Sequence, residues 1–288
     1  MSKKKIIFQG EPGANSDLAC REAYPDHEPV PCPTFEDCFT ALSNGDVDLG
    51  MIPIENSVAG RVADIHHLMP DSNLHIIGEH FLRVRHQLLA VPGARLETIR
   101  SVASHVHALG QCRKIVAKLG LKTVVAADTA GAAAELARSG DTTRAAIATS
   151  LAADIYGLET LMSDIEDEEH NTTRFLILSA DPQEVDPDAG QVITTFLFRV
   201  RNVPAALYKA LGGFATNGVN MTKLESYQIG GAFYATQFYA DIEGHPSQRM
   251  VRLALEELEF FTSYLRVVGV YKASPLRAEL ARLASGED

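Results

Sequence analysis

The polar residues just before one apolar segment are the ones most suited to chemistry in this chain. An acidic run at residues 166–169 is soon followed by Thr172, Thr173 and Arg174, and then by an apolar segment at residues 175–178. This change of period places the polar residues at a strand edge. A hydroxyl beside a guanidinium can hydrogen-bond a leaving oxygen while the guanidinium holds a carboxylate. The alternatives are a polar turn before a core strand and, for Arg174, a structural pair with the acidic run.

Other polar residues at predicted strand ends could serve the same site. Glu55, Asn56 and Ser57 follow one strand, Ser104 ends another, and Gln111 lies seven residues further on. Such strand ends open helices, whose first N–H groups and positive dipole end favour anions. Glu55 could orient a donor or carry a proton, or act only as a helix-dipole residue; helix capping is the alternative for the neutral residues. The candidate ligand-binding residues are therefore Asn56, Ser57, Ser104, Gln111, Thr172 and Arg174.

Five strand–helix units with short connections are predicted to position these residues. A proline-rich stretch at residues 25–33 is expected to be a loop, Asn15 or Ser16 to cap the first helix, and a helix to run from about residue 60 to 69. Residues 74–91 are expected to form one or two strands that cross between two lobes as a hinge. The alternation predicts an open, mostly parallel sheet with helices on both faces and a ligand crevice at the carboxyl ends of the strands. The five strands are expected at residues 5–9, 48–54, 102–104, 123–127 and 145–148.

The pattern changes after a polar segment with two prolines and a glycine at residues 181–191. This segment predicts a linker between a first domain at residues 1–180 and a second at residues 192–273. The second domain is predicted to have the order βαββαβ, which is the ferredoxin-like pattern. No motif within it suggests bond-breaking chemistry. Residues 274–288 are expected to be a short, frayed helical tail.

Composition excludes several classes of function. The chain has 288 residues, is 46% hydrophobic and 22% charged, and carries a formal net charge of −11. The absence of a basic stripe argues against nucleic-acid binding, and no apolar run approaches the ~20 residues of a membrane span. The four cysteines lack CxxC spacing, which predicts a reducing cytoplasm. His105 and His107 alternate without a third ligand nearby, so no metal site is expected.

Five short motifs, in this order, resemble those of monofunctional prephenate dehydratases with a C-terminal ACT regulatory domain. The resemblance covers roughly residues 5–273. Two motifs depart from the family pattern: Val106-His107 stands where Pro-Gln is usual, and Ala205 and Tyr227 stand where glycine and arginine are usual. The matching motifs are Phe8-Gln9-Gly10-Glu11-Pro12-Gly13-Ala14, Pro53-Ile54-Glu55-Asn56-Ser57 with Gly60, His86-Gln87-Leu88-Leu89, Ser104-His105 with Gln111, and Asn171-Thr172-Thr173-Arg174-Phe175.

The resemblance implies an enzyme that converts prephenate to phenylpyruvate, carbon dioxide and water without a cofactor. Thr173 would be the hydroxyl aimed at the departing oxygen, with Glu55 as a second catalytic residue. The first domain would be two-lobed and doubly wound, like periplasmic binding proteins, and would close on its substrate. Arogenate, the amino-acid counterpart of prephenate, is an alternative substrate, and a non-catalytic binding or sensor protein is an alternative function.

The resemblance also implies regulation through the second domain. Phenylalanine would be the effector, and the chain would form a homodimer or homotetramer. The departures at Ala205 and Tyr227 leave open whether phenylalanine inhibits. The candidate effector-binding residues are Ala205, Ala206, Leu207, Asn220, Glu225 and Ser226.

Overall fold

The computed structural model of the chain describes residues 3–168, 170–188, 190–229 and 232–285. These residues divide into two compact units. The first comprises Met1–Val62 and His80–Phe175, and the second comprises Ala63–Glu79 and Leu176–Asp288. Residues 63–79, which the sequence placed in the first domain, therefore group with the second unit. The domain boundaries drawn from the sequence stay a prediction.

Two sheets form the first unit. One has the order β5-β11-β3-β1-β2, with β4 paired to β3, and the other has the order β10-β6-β9-β7-β8. The last four residues of β5 and the first four of β11 belong to this unit. The strands are β1 (Lys5–Gln9), β2 (Glu28–Cys32), β3 (Leu49–Asn56), β4 (Gly60–Arg61), β5 (His75–Arg83), β6 (Gln87–Ala90), β7 (Ser101–Ser104), β8 (Lys122–Val125), β9 (Arg144–Ala148), β10 (Glu159–Met162) and β11 (Thr172–Ser179).

The helices of the first unit follow its strands closely. Thr34, Asp128 and Thr149 cap three of these helices, and each accepts a hydrogen bond from a backbone N–H of the first turn. The prediction for the first helix was wrong: Ala14 is its N-cap, and the Asp17 carboxylate accepts the N–H of Gly13 at 2.8 Å. The helices are α1 (Asn15–Ala23), α2 (Phe35–Asn44), α4 (Val106–Gln111), α5 (Arg113–Lys118), α6 (Thr129–Ser139) and α7 (Ser150–Tyr156), with a 3-10 turn at Leu96–Thr98.

All five predicted strands are present, but they do not form a single parallel sheet. β1 is parallel to β2 and β3, and β7 is parallel to β8 and β9, whereas β6 runs antiparallel to β9 and β10. The chain leaves the first sheet after β5 and returns to it at β11. In the first sheet β4 runs antiparallel to β3. Residues 74–91 contain β5 and β6, one in each sheet, as expected for a crossing segment.

The proline-rich stretch was wrongly predicted to be a loop, because it contains the edge strand β2. Pro29 and Pro31 pair in register with Ile6 and Phe8 of β1. Proline lacks an N–H, and an edge strand tolerates this where the missing donor would face away from the sheet. The intervening N–H groups remain available for β1. An edge position of this kind is invisible to a rule that treats proline only as a strand breaker.

The second unit has the predicted order βαββαβ. Its sheet order is β13-β14-β12-β15-β5; the first four strands pair antiparallel with one another, whereas β15 is parallel to β5. Alternate strand residues such as Phe196 and Phe238 share one core with Phe214 and Leu258 of the two helices. The elements are α3 (Ala63–Asp71), β12 (Val192–Val200), α8 (Ala206–Thr216), β13 (Met221–Ile229), β14 (Ala232–Glu243), α9 (Arg249–Phe261), β15 (Thr262–Lys272) and α10 (Pro275–Ser285).

The first turn of the C-terminal helix α10 is anchored rather than frayed. Arg277 donates to both carboxylate oxygens of Glu79 at 2.6 and 2.8 Å, and it lies 3.6 Å from the Asp241 carboxylate. Both acidic side chains are fully buried. In the part of the chain that the structure describes, no helix is long and apolar enough to span a membrane.

Candidate active site

A cleft of about 340 Å³ in the first unit is lined by residues from both of its sheets. This volume suits a small molecule. Asn56 and Thr173 reach the cleft from neighbouring strands of the first sheet, and His105 reaches it from the end of β7 in the second. The lining residues are Asn15, Asn56, Ala59, Gly60, Arg61, Val62, Val84, His86, His105, His107, Ala108, Gln111, Thr129 and Thr173.

Asn56 and Thr173, predicted from separate motifs, are in direct contact. Asn56 Nδ2 donates to Thr173 Oγ1 at 2.9 Å and to Asn171 Oδ1 at 2.8 Å. The contact arises because β3 and β11 are adjacent strands. The Thr173 oxygen therefore accepts from Asn56, and its own hydrogen can be donated into the cleft.

Gln111 joins the same network from the end of α4. Its Oε1 accepts from Asn171 Nδ2 at 3.0 Å and lies 2.8 Å from His86 Nε2. His86 is buried, and this burial lowers its pKa, opposed by the hydrogen bond to Gln111 and by the Glu166 carboxylate. A neutral imidazole follows at neutral pH. His86 and Asn171 lie in the two segments that connect the sheets, where Val84 N–H donates to the Asn171 carbonyl at 2.8 Å.

Arg174 and Glu55 are paired with each other. Arg174 Nη1 donates to Glu55 Oε1 at 3.0 Å, and the arginine side chain is 3% exposed while that of Glu55 is 33% exposed. The guanidinium also lies 6.0 Å from the centre of the Phe81 ring. Neither Arg174 nor Glu55 is among the lining residues of the cleft. Of the two roles that the sequence left open for Arg174, this geometry fits the structural one, with Glu55 as a partner.

Three other candidates lie outside the cleft lining. Ser57 Oγ donates to the His170 carbonyl at 2.7 Å and accepts from the Thr172 N–H at 2.9 Å, so both residues join β3 to β11. Ser104 is fully buried and donates to the Ile147 carbonyl at 2.6 Å. Their assignment as substrate-binding residues stays a prediction.

The cleft contains cationic or titratable groups to which the sequence assigned no role. Arg61 lies in β4, whose pairing with β3 sets it opposite Glu55. His105 and His107 lie with ring centres 4.9 Å apart, and the His105 ring caps α4 by accepting the His107 N–H. Burial lowers the pKa of His105, the neighbouring His107 lowers it further, and Asp128 opposes both. Because Arg61 lies only five residues after Asn56, the turn between them was the available signal.

The candidate effector residues lie in the second unit. Ala205 precedes α8 with a φ of 61°, and Ala206 is buried in the first turn. Glu225 accepts from Lys223 at 3.3 Å, and Asn220 donates to Glu243 at 3.1 Å. An 11-residue helix is ~16 Å long, so Asn220, which follows α8, lies a helix length from Ala205. β13 then runs in the opposite direction to α8, with a rise of ~3.3 Å per residue. Glu225 and Ser226 therefore lie at about the same position along the helix axis as the start of α8.

The fold defines an α/β protein with one unit of two sheets, which contains the cleft, and one unit of βαββαβ order. Residues 6–183 match the family model described as prephenate dehydratase. A bifunctional N-acyl-homoserine lactone acylase/prephenate dehydratase from Komagataeibacter europaeus is 51% identical over 278 residues, which cover 96% of this chain and 99% of that protein. The chain belongs to the prephenate dehydratase family.

Two further relatives fit this assignment. Arogenate dehydratase/prephenate dehydratase 2, chloroplastic, from Arabidopsis thaliana is 39% identical over 280 residues, which cover 94% of this chain and 73% of that protein. Among solved structures, the prephenate dehydratase from Arthrobacter aurescens in complex with L-Phe superimposes with a TM-score of 0.85 at 28% identity, covering 98% of both chains.

Proposed function

We propose that this chain catalyses the decarboxylating dehydration of prephenate to phenylpyruvate. The observation that carries the proposal is the Asn56–Thr173 hydrogen bond, which leaves the Thr173 hydrogen available to the cleft. The C–C bond to the ring carboxylate breaks and releases carbon dioxide, and its electron pair enters the ring. The C–O bond to the ring hydroxyl breaks at the same time, and the departing oxygen takes a proton from Thr173 to form water. Solvent then reprotonates Thr173.

The substrate is a dianion, and the cleft supplies groups suited to its two carboxylates. Arg61 brings a permanent positive charge, and Gln111 and Asn56 bring neutral amides. We infer that Glu55, which pairs with Arg174 and does not line the cleft, orients the guanidinium and takes no direct part in proton transfer. Purified chain given prephenate should produce phenylpyruvate; no turnover would overturn the proposal and favour a binding or sensor protein.

Arogenate remains the second substrate to test. The Arabidopsis relative carries both activities in its name. The two substrates differ only where a keto group replaces an amino group, so kcat/KM measured for each under identical conditions gives the preference directly. A larger value for arogenate would make this chain an arogenate dehydratase.

Acyl-homoserine lactone hydrolysis is a second candidate function. The Komagataeibacter relative is named as bifunctional, and the His105 imidazole has a lowered pKa within the cleft. A neutral imidazole can accept a proton from water as water attacks the amide carbonyl and can return it to the departing amine. Incubation with an N-acyl-homoserine lactone should then release fatty acid and homoserine lactone. If His105→Asn no longer releases these products, His105 is the general base. If the wild type releases none, the chain lacks this activity.

For the second unit we propose an ACT domain of ferredoxin-like fold that binds phenylalanine. The βαββαβ order, the level placement of Glu225 with the start of α8, and the similarity to the Arthrobacter protein solved with L-Phe support this proposal. Phenylalanine would inhibit through a change in the first unit. Calorimetry and turnover measurements with millimolar phenylalanine test this proposal. If phenylalanine produces no heat of binding and does not change turnover, the second unit serves only in assembly. Light scattering at micromolar concentration tests the proposed homodimer or homotetramer.

A further inference from the structure

The hydrogen bonds behind the cleft have a direction that the main chain sets. The backbone N–H groups of Val58 and Ala59 both donate to Asn56 Oδ1, at 2.9 and 2.8 Å. The Asn56 amide NH2 group must therefore face the other way, where it donates to Thr173 and Asn171. Main-chain donors cannot reverse, so the orientation of Asn56 is fixed.

The same direction continues to His86. Because Asn171 Oδ1 accepts from Asn56, the Asn171 NH2 group is the one that donates to Gln111 Oε1. A carbonyl oxygen can only accept, so His86 Nε2, which lies 2.8 Å from it, must carry a hydrogen. His86 is thus the Nε2–H tautomer. We call the five residues Thr173, Asn56, Asn171, Gln111 and His86 the amide relay.

The amide relay fixes the orientation of the side-chain amide of Gln111. Two donors hold its Oε1 on the inner side, so its NH2 group is turned away from both of them, and Gln111 lines the cleft. Thr173 likewise has its oxygen held by a donor. The amide relay therefore turns acceptors inward and donors outward, which is the arrangement that an anionic ligand requires.

We propose that His86 is a positioning residue that, as the Nε2–H tautomer, keeps the amide NH2 group of Gln111 directed at the substrate anion. This inference rests on the proposed function, because the anion is the prephenate carboxylate. His86 does not touch the reacting atoms; it acts through Gln111. Asn171 has the same role from the opposite side.

Steady-state kinetics with prephenate test the role of His86. His86→Leu removes one of the two donors that hold Gln111 Oε1, so the amide can turn its oxygen toward the substrate. KM should rise about tenfold or more, as for one lost hydrogen bond to a charged group, while kcat changes little. His86→Gln keeps an N–H donor and should restore most of the affinity.

Gln87, the next residue along the chain, provides a matched control. It is also buried, but its amide group bonds Asp164 and does not line the cleft. Gln87→Leu should therefore leave KM unchanged. Equal losses in His86→Leu and His86→Gln, or a wild-type KM in His86→Leu, would overturn the positioning role.

Nitrogen-15 spectra of the histidines test the direction of the amide relay without any turnover. The wild-type His86 should give the shifts of an Nε2–H imidazole. Asn171→Asp replaces the donor to Gln111 by an acceptor, so Gln111 should turn over and His86 should switch to the Nδ1–H tautomer. An Nδ1–H imidazole in the wild type, or no switch in Asn171→Asp, would overturn the inference. If the wild type does not convert prephenate, only the proposed function is overturned. The spectra would still determine the direction of the hydrogen bonds in the amide relay.

Discussion

The two units each bury a polar network, and the two networks differ in charge and direction. In the first unit the amide relay consists of neutral side chains, starts from main-chain N–H groups and ends with donors at a cleft. In the second unit Arg277 meets the buried carboxylates of Glu79 and Asp241. Thr195 Oγ1 also donates to Asp241, at 2.7 Å.

The charge and the hydrogen-bond direction of each network determine its role. Donors that end on buried carboxylates are satisfied within the protein and hold segments of chain together. Donors that end at a cleft keep a hydrogen available for a ligand. The first unit should therefore lose function when its network is changed, whereas the second should lose stability.

The largest expected effect comes from removing the donor at the cleft end of the amide relay. Thr173→Ala should lower kcat by on the order of 10²–10³, as for one lost transition-state donor, with little change in the free energy of unfolding. Thr173→Ser keeps the hydroxyl and should keep most of the turnover. Single-turnover kinetics with prephenate, together with thermal unfolding, measure both quantities. Near-normal turnover in Thr173→Ala would remove the hydroxyl from the mechanism.

The second effect should appear in stability alone. Arg277→Met leaves two buried carboxylates without their shared guanidinium, which should cost about 3–5 kcal/mol of unfolding free energy. The folded fraction should still turn over substrate at the wild-type rate. Denaturant titration monitored by circular dichroism measures the loss.

Arg252 offers the matched control for Arg277. It forms an exposed pair with Glu256 at 3.8 Å, so Arg252→Met should change stability by about 0.5 kcal/mol or less. Similar losses in the two variants would contradict the contrast between the networks. Replacing Glu79 and Arg277 together by apolar residues should recover part of the loss, because the buried Glu79 carboxylate is then removed together with the guanidinium, while Asp241 keeps the hydrogen bond from Thr195.

Three members of the amide relay were candidate site residues from the sequence: Thr173, Asn56 and Gln111. The adjacency of β3 and β11 brings Asn56 and Thr173 together, and Gln111 joins them from the end of α4. Glu55, a partner of Arg174, could not be predicted, because it lies 119 residues away along the chain. Ser104 was predicted to bind substrate, with helix capping as the alternative; its side chain donates to the Ile147 carbonyl, because alternation along a strand decides which way a side chain faces.

The elements themselves were predicted closely wherever periodicity was strong. β1 has the predicted bounds, and β7 and β9 each begin one residue before the predicted start. The strand β2 was missed because its prolines suppress the strand signal. The division of the strands into two sheets depends on where the chain crosses, and no local pattern encodes that.

Substitution of Ala205 tests whether the backbone at the start of α8 is strained and whether a ligand binds there. Ala205 has a φ of 61°, in the left-handed region that disfavours residues with a Cβ by roughly 1–2 kcal/mol. Ala205→Gly should therefore raise the free energy of unfolding by about 1 kcal/mol. If phenylalanine binds there, the lost Cβ should also increase its affinity, as calorimetry would detect.

Ala206 is the matched control, because it lies next along the chain within the helix. Ala206→Gly should destabilise by roughly 0.5–1 kcal/mol, the ordinary cost of glycine in a helix. Destabilisation by both substitutions would mean that the φ of Ala205 is not a source of strain. Stabilisation by Ala205→Gly without tighter phenylalanine binding would place the effector elsewhere.

The smallest expected effect is a pH dependence confined to the cleft. Burial and the neighbouring His107 lower the pKa of His105 from its ordinary value of 6.5, so this imidazole is neutral at pH 7 and gains a proton only as the pH falls below 6.5. The prephenate carboxylates stay ionised down to about pH 5. An added positive charge is worth about 1 kcal/mol at ~4 Å in water, so KM for prephenate should fall by up to about fivefold as the pH drops from 7.5 through the lowered pKa of His105. His105→Asn should flatten this trend. A KM that rises as the pH falls, or an unchanged trend in His105→Asn, would show that His105 does not face the substrate carboxylates.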